Sequence, residues 1–338
     1  MERRWSGQCS RRGERPVCSI LSRRAGADRE MFIGKPMTEE RFSMTDVWSS
    51  PRSAQHQTSL PAGELLHSGN AGIIIHRVGM LEYEMAREGR DFSVDLLGYM
   101  NRAQAGVATT FCYEEIFGIR DRLHWLVHLK RPDEYRRLLK MVDHDADFQD
   151  ISLNDRLPKK GGGNWEKMFV PRSFQETILC AQHGFTHEPD DYDPSDTFVP
   201  PAMYQGPQPR DQQLNSANAG AVILRSADVR YEFREEGRQF AYDWQTHLNT
   251  TLPGQVTSYL YEQTWGRQDR IHWLIHLREL EDYRAVSEVD RGEGMQKEVY
   301  DRERAPQSKG GGAWDRLFIP TSINDVLMVP HLVDADGS

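Results

Sequence analysis

The sequence predicts an α+β fold built from two tandem copies of one β-α-β-β-α-β unit. Three observations predict it. The stretch DRLHWLVHLK at residues 121–130 returns 148 positions later as DRIHWLIHLR at 269–278, with seven of the ten residues identical. A repeat at that distance is a duplicated structural unit. Both copies alternate along the chain, so as strands they set Leu123, Trp125, Val127 and Leu129 against Arg122, His124, Leu126 and His128. Finally, the segments around the two copies match each other in the same order.

Each unit opens on a β-branched or aliphatic run, NAGIIIHR at 70–77 and NAGAVILR at 218–225, which reads as a first strand. A helix follows in each, marked by Phe92, Leu96, Tyr99 and Met100 in the first unit and by Phe240, Trp244 and Leu248 in the second. VATTFCYEE and QVTSYLYEQ are second strands, joined through Gly118 and Gly266 to the repeated third strands as hairpins. Pro132 begins a second helix with Tyr135, Leu138, Leu139 and Val142 on one stripe, and EDYRAVSEV from Glu281 is its weaker counterpart. The fourth strands are expected at 168–170 and 317–319, after the KGGG segments. This order of elements is the ferredoxin-like split βαβ unit.

With 338 residues, the chain has room for two domains with their own cores. A formal net charge of -9 argues against nucleic acid as a partner, which requires a concentrated basic face. Cys9, Cys18, Cys112 and Cys180 have neither paired nor CxxC spacing, so a disulfide framework or zinc knuckle is not expected. No apolar run reaches the ~20 residues of a membrane span, and the expectation is a cytoplasmic protein. Residues 1–60, basic and without apolar period, read as a disordered tail. Residues 181–215, rich in Pro and Asp, read as a linker between repeats at 68–180 and 216–332.

The unit order, the duplication and the HWLVHL and HWLIHL strands resemble the dimeric α+β barrel superfamily, over about residues 68–180 and 216–330. That superfamily includes antibiotic-biosynthesis monooxygenases, polyketide cyclases, muconolactone isomerases and haem enzymes. The resemblance implies two ferredoxin-like units packed sheet against sheet, with helices on one sheet face and a cavity on the other. It also admits a homodimer.

On that arrangement Arg122, His124 and His128, with Arg270, His272 and His276, face the cavity as candidate catalytic residues. Arg77, Arg225, His76, Tyr113 and Tyr261 are candidate substrate-binding residues. Imidazole can move protons near neutrality, and a nearby guanidinium stabilises an enolate or phenolate as charge develops. Histidines four apart on one strand stand ~13 Å apart and cannot chelate one metal. No metal and no cofactor is therefore expected, although a haem protein is an alternative within the family. The reading is an enzyme of cyclase, isomerase or monooxygenase type, acting on a small aromatic or polyketide-like molecule. Its rival is a non-catalytic small-molecule-binding or assembly protein. His76 stands where the second repeat has Leu224, so the first half is expected to be the active one.

Overall fold

The computed structural model describes residues 52–183 and 192–331. Eight antiparallel strands form one closed barrel: β1 (Ile73–Met80), β2 (Ala108–Ile116), β3 (Arg122–Leu129), β4 (Gln175–Ala181), β5 (Ala221–Asp228), β6 (Val256–Trp265), β7 (Arg270–Leu277) and β8 (Asn324–Pro330). Around the barrel the order is β1-β3-β2-β8-β5-β7-β6-β4, with β4 returning to β1. Each half therefore runs 4-1-3-2 in its own strands and closes on the other half at the β2·β8 and β4·β6 seams. Those seams are antiparallel, so equivalent strands of the two halves point the same way. A pseudo-two-fold axis runs along the barrel, and both strand hairpins lie at the same end.

Helices α1 (Ala86–Ala103), α2 (Tyr135–His144) and α3 (Ala146–Leu153) cover the first half, and α4 (Arg234–Thr251) and α5 (Asp282–Asp290) the second. Strand alternation decides which side chains they cover. Val127 and Leu129 pack with Leu138, Met141 and Phe148 outside the barrel, and Trp273 and Ile275 pack with Phe240 and Trp244. The inward residues form a separate core that includes Ile74, Phe111, Tyr113, Leu126, Tyr259, Tyr261, Leu274 and Met328. The expected cavity is thus filled by side chains through the middle of the barrel.

The structure corrects the sequence reading in three places. The fourth strands lie at Gln175–Ala181 and Asn324–Pro330, not at 168–170 and 317–319. Those earlier segments make only the isolated bridges Leu81–Phe169 and Val229–Phe318, because Met168 and Leu317 anchor turns under the helices. Second, residues 52–60 do not belong with a disordered tail: Ala54 is fully buried, and the Gln57 side chain is bonded to Cys112 and His331. Residues 1–51 lie outside the described residues. Third, of the supposed linker, Thr197, Val199, Ala202 and Gln205 are buried against the barrel.

Two glycine motifs have backbone causes. A Cβ on Gly72 or Gly220 would stand 2.3 or 2.5 Å from the carbonyl oxygen of Lys130 or Arg278, so the NAG openings let the chain enter β1 and β5 against the end of the neighbouring strand. In the KGGG segments, Gly161–Gly163 and Gly310–Gly312 all have positive φ, which side chains rarely adopt. Their lysines are paired, Lys160 with Glu88 and Lys309 with Glu236.

Candidate functional site at the hairpin end of the barrel

The barrel has two polar ends of different character. At the end away from the hairpins, His128 and His276 are fully buried on β3 and β7. His128 Nδ1 faces the Thr109 carbonyl at 3.0 Å and Nε2 faces Ser216 Oγ at 2.9 Å. His276 repeats this with Thr257 and Ser68, at 3.0 and 2.9 Å. A carbonyl only accepts, so Nδ1 carries the proton in both rings and each serine hydroxyl donates to Nε2. Each serine oxygen then accepts the other serine's backbone N–H, at 3.0 and 2.9 Å. Tyr113 and Tyr261 donate their hydroxyls to the Ser216 and Ser68 carbonyls, each at 2.5 Å. Burial lowers both histidines to about 3, so the rings are neutral. No ring nitrogen is left for chemistry.

At the hairpin end, His76 of β1, His124 of β3 and His272 of β7 point inward and are nearly buried. His124 Nε2 stands 3.3 Å from Glu115 Oε2 on β2, and its Nδ1 stands 2.9 Å from His76 Nε2. The Glu115 carboxylate can only accept, so His124 carries its proton on Nε2 and takes one from His76 Nε2 on Nδ1. That leaves His76 Nδ1 as the unprotonated nitrogen ending a three-residue relay. Arg122 holds Glu115 at 3.0 Å. Burial opposes ionisation of Glu115, but hydrogen bonds from His124 and the Ile119 N–H, with Arg122 beside it, hold its carboxyl below the usual range. Burial, with His124 and His272 nearby, pushes His76 well below its ordinary value. Burial also lowers His124 and takes His272 to about 3.

The second half builds its side of this end differently. His272 Nδ1 shares a hydrogen bond with Ser226 Oγ at 3.0 Å. Asp228, at the end of β5, is paired with Arg267 at 2.8 Å and lies 3.7 Å from Arg270.

The remaining predicted residues sort by strand face. Arg77 and Arg225 neighbour inward residues in sequence and therefore point outward: Arg77 pairs with Glu176 at 2.5 Å, and Arg225 with Asp325 at 2.8 Å above the Trp244 ring. They are not cavity residues, and period-two alternation excludes them once His76 is inward. The sequence reading missed Glu115, Ser226 and Asp228, whose inward position follows from the same alternation. Ser68 and Ser216 were missed as well, although their separation of 148 matches the repeat.

The two strand histidines at the end away from the hairpins do not fit haem ligation. His128 and His276 have both nitrogens engaged, and Phe111, Tyr113, Tyr259 and Tyr261 fill the space beside them. Among the described residues, no group of three or more His, Cys, Asp or Glu side chains could hold a metal ion.

The fold and these two ends define the class: a mixed α+β protein with a closed antiparallel barrel of eight strands. Over residues 43–336 the chain matches DUF6039, a family of unknown function, and it belongs to that family. No curated protein matches it. Among solved structures it is similar to a provisionally named monooxygenase from Lactobacillus acidophilus, at 8% identity over 78% of this chain and 95% of that one, TM-score 0.46. It is also similar to a haem-binding protein from Thermus thermophilus, at 11% identity over 79% and 94%, TM-score 0.39. A mutant chlorite dismutase from Candidatus Nitrospira defluvii gives 12% over 77% and 92%, TM-score 0.38. These likenesses are too distant to carry any chemistry. Among the described residues no helix is long and apolar enough to cross a membrane.

Proposed function

We propose that each half of the chain is a ferredoxin-like unit and that their shared barrel serves a cofactor-independent enzyme. Its substrate is a small aromatic or polyketide-like molecule, bound at the hairpin end, and its reaction is a cyclisation or isomerisation started by proton transfer. The observation that carries this reading is the relay Glu115···His124···His76, whose last nitrogen is unprotonated in the only tautomer the carboxylate allows. A proton accepted at His76 Nδ1 is matched by transfer from His76 Nε2 to His124 and from His124 toward Glu115, so the charge moves to the carboxylate. Arg122 and Arg270 flank the end, where they favour an enolate or phenolate. His128 and His276 are assigned to stability. A second reading, a non-catalytic binding or assembly protein, is favoured by the filled barrel interior.

The test needs no knowledge of the natural substrate. The protein is incubated in deuterium oxide with a panel of small cyclic diketones and hydroxylated aromatic ketones, and exchange of acidic C–H protons is followed by NMR. Protein-dependent exchange should fall ~100-fold in His76→Leu and in Glu115→Gln, the residues the second half carries at the equivalent positions, Leu224 and Gln263. Saturable binding with no exchange above buffer would reject the enzyme and leave the binder.

A further inference from the structure

Two buried polar atoms at the hairpin end have no hydrogen-bond partner among the described residues, His272 Nε2 and Asp228 Oδ1. Both belong to the second half. His272 is 5% exposed and Asp228 6%, so bulk water does not serve them. An unpaired buried polar group costs ~1–3 kcal/mol, and two together require an explanation. The rest of each side chain is pinned. Ser226 holds His272 through Nδ1, and Arg267 holds the other Asp228 oxygen at 2.8 Å. Arg270 Nε, at 3.7 Å, is too far to serve Oδ1. On paired strands, Ser226 stands opposite His272 and Asp228 opposite Arg270, so His272 and Asp228 are diagonal neighbours on the inward face.

We propose that this pair is a hydroxyl-binding subsite. The ligand it takes is a phenol or enol, whose O–H donates to Asp228 Oδ1 and whose oxygen accepts from His272 Nε2–H. In this arrangement the Ser226 hydroxyl donates to Nδ1 and the ring carries its proton on Nε2. An unpaired acceptor and an unpaired donor on diagonal neighbours match a hydroxyl and mismatch an ether, which has no proton for the carboxylate. The same geometry rejects a carboxylate ligand, because Asp228 would repel it. The assignment deepens the proposed function by naming the group that anchors the substrate opposite His76, and it rests on that end of the barrel being the ligand-facing one.

The probes are 4-cyanophenol and its methyl ether, titrated into the full chain labelled with 15N-histidine. The His272 ring should report an Nε2–H tautomer before addition and a saturable shift with the phenol. The ether should bind at least about 10-fold more weakly, and Asp228→Asn should weaken the phenol by about 10-fold while leaving the ether unchanged. If Asp228→Asn does not fold, the phenol-to-ether ratio on the unaltered chain decides alone. Equal binding of phenol and ether, no effect of either on His272, or an unprotonated Nε2 would overturn the subsite and leave the two atoms as the seat of an ordered water. The proton-transfer reading fails separately: absence of C–H exchange with retained phenol preference removes the enzyme and keeps the site, whereas exchange without phenol preference does the reverse.

Discussion

The two ends of the barrel are each built from both halves of the chain, and they differ in how closely those halves match. At the end away from the hairpins the buried histidine network comes twice: His128 and His276, Ser68 and Ser216, Thr109 and Thr257, Tyr113 and Tyr261 reproduce one another across the pseudo-two-fold axis. Among the inward polar residues at the hairpin end, only His124 with His272 and Arg122 with Arg270 are shared. Glu115 faces Gln263, His76 faces Leu224, and Met80 and Val78 face Asp228 and Ser226. A closed reciprocal network tolerates no change on one side, because each substitution strands a partner on the other. The hairpin end escapes that constraint, since the hydrogen bonds its inward polar groups make lie within each half. Divergence there is the mark of a site, and symmetry at the opposite end is the mark of a lock.

The largest expected effect tests the lock. His128→Ala leaves the Ser216 O–H without its acceptor and the Thr109 carbonyl without the ring N–H, and opens a cavity in a fully buried position, and His276→Ala does the same to Ser68 and Thr257. Each should lose about 3 kcal/mol of unfolding free energy in urea, equal within error. The double variant should lose less than the sum, because both changes break one network. Additive losses, or a loss confined to one histidine, would break the symmetry argument.

A smaller effect tests the same comparison outside the barrel wall. Gln57 donates to the Cys112 and His331 carbonyls and accepts the Cys112 N–H, while Gln205 does the same for Leu260 and Gln182. Each amide continues the strand ladder where β8 or β4 ends. Gln57→Ala and Gln205→Ala should each cost ~2 kcal/mol, measured by thermal or urea unfolding, through one unpaired backbone N–H. An unequal pair would show that the segments before β1 and β5 have diverged as the hairpin end has.

These glutamines also mark where the sequence stopped being legible. The repeat, the element order, and the inward placement of His124, Leu126 and His128 all follow from period and alternation, which are local. The segments at 54–57 and 202–205 have no apolar period, since their stability comes from one amide matching a distant backbone gap. Loss of periodicity there resembles disorder. The fourth strands were misplaced for a related reason: Met168 and Phe169 are as apolar as a strand but are buried under α1 as an anchor. The histidines were visible as types, but their roles were not. His128 differs from His124 in which distant atoms its nitrogens reach, and those partners lie 19 to 88 residues away for His128.

The smallest effect is electrostatic, and it separates the ends by pH. Burial lowers His128, His272 and His276 to about 3 and His67 to about 4, and together with its neighbouring histidines holds His76 well below 6.5. A histidine neutral in the folded chain and protonated near 6.5 in the unfolded chain contributes stability that is present above 6.5. That stability is lost as pH falls toward the folded value. Depressed carboxylates such as Glu114, at about 2, lose theirs only below 4.5, so the window from pH 6.5 to 5 reports the histidines. Unfolding free energy should fall with acid there, and each buried histidine contributes a slope that approaches ~1.4 kcal/mol per pH unit. His76→Leu should flatten the slope by about one proton, as should His128→Gln. If His76→Leu leaves the slope unchanged while His128→Gln reduces it, His76 already binds a proton in the folded state. The relay would then start as an acid, and the direction of proton transfer at the hairpin end would be reversed.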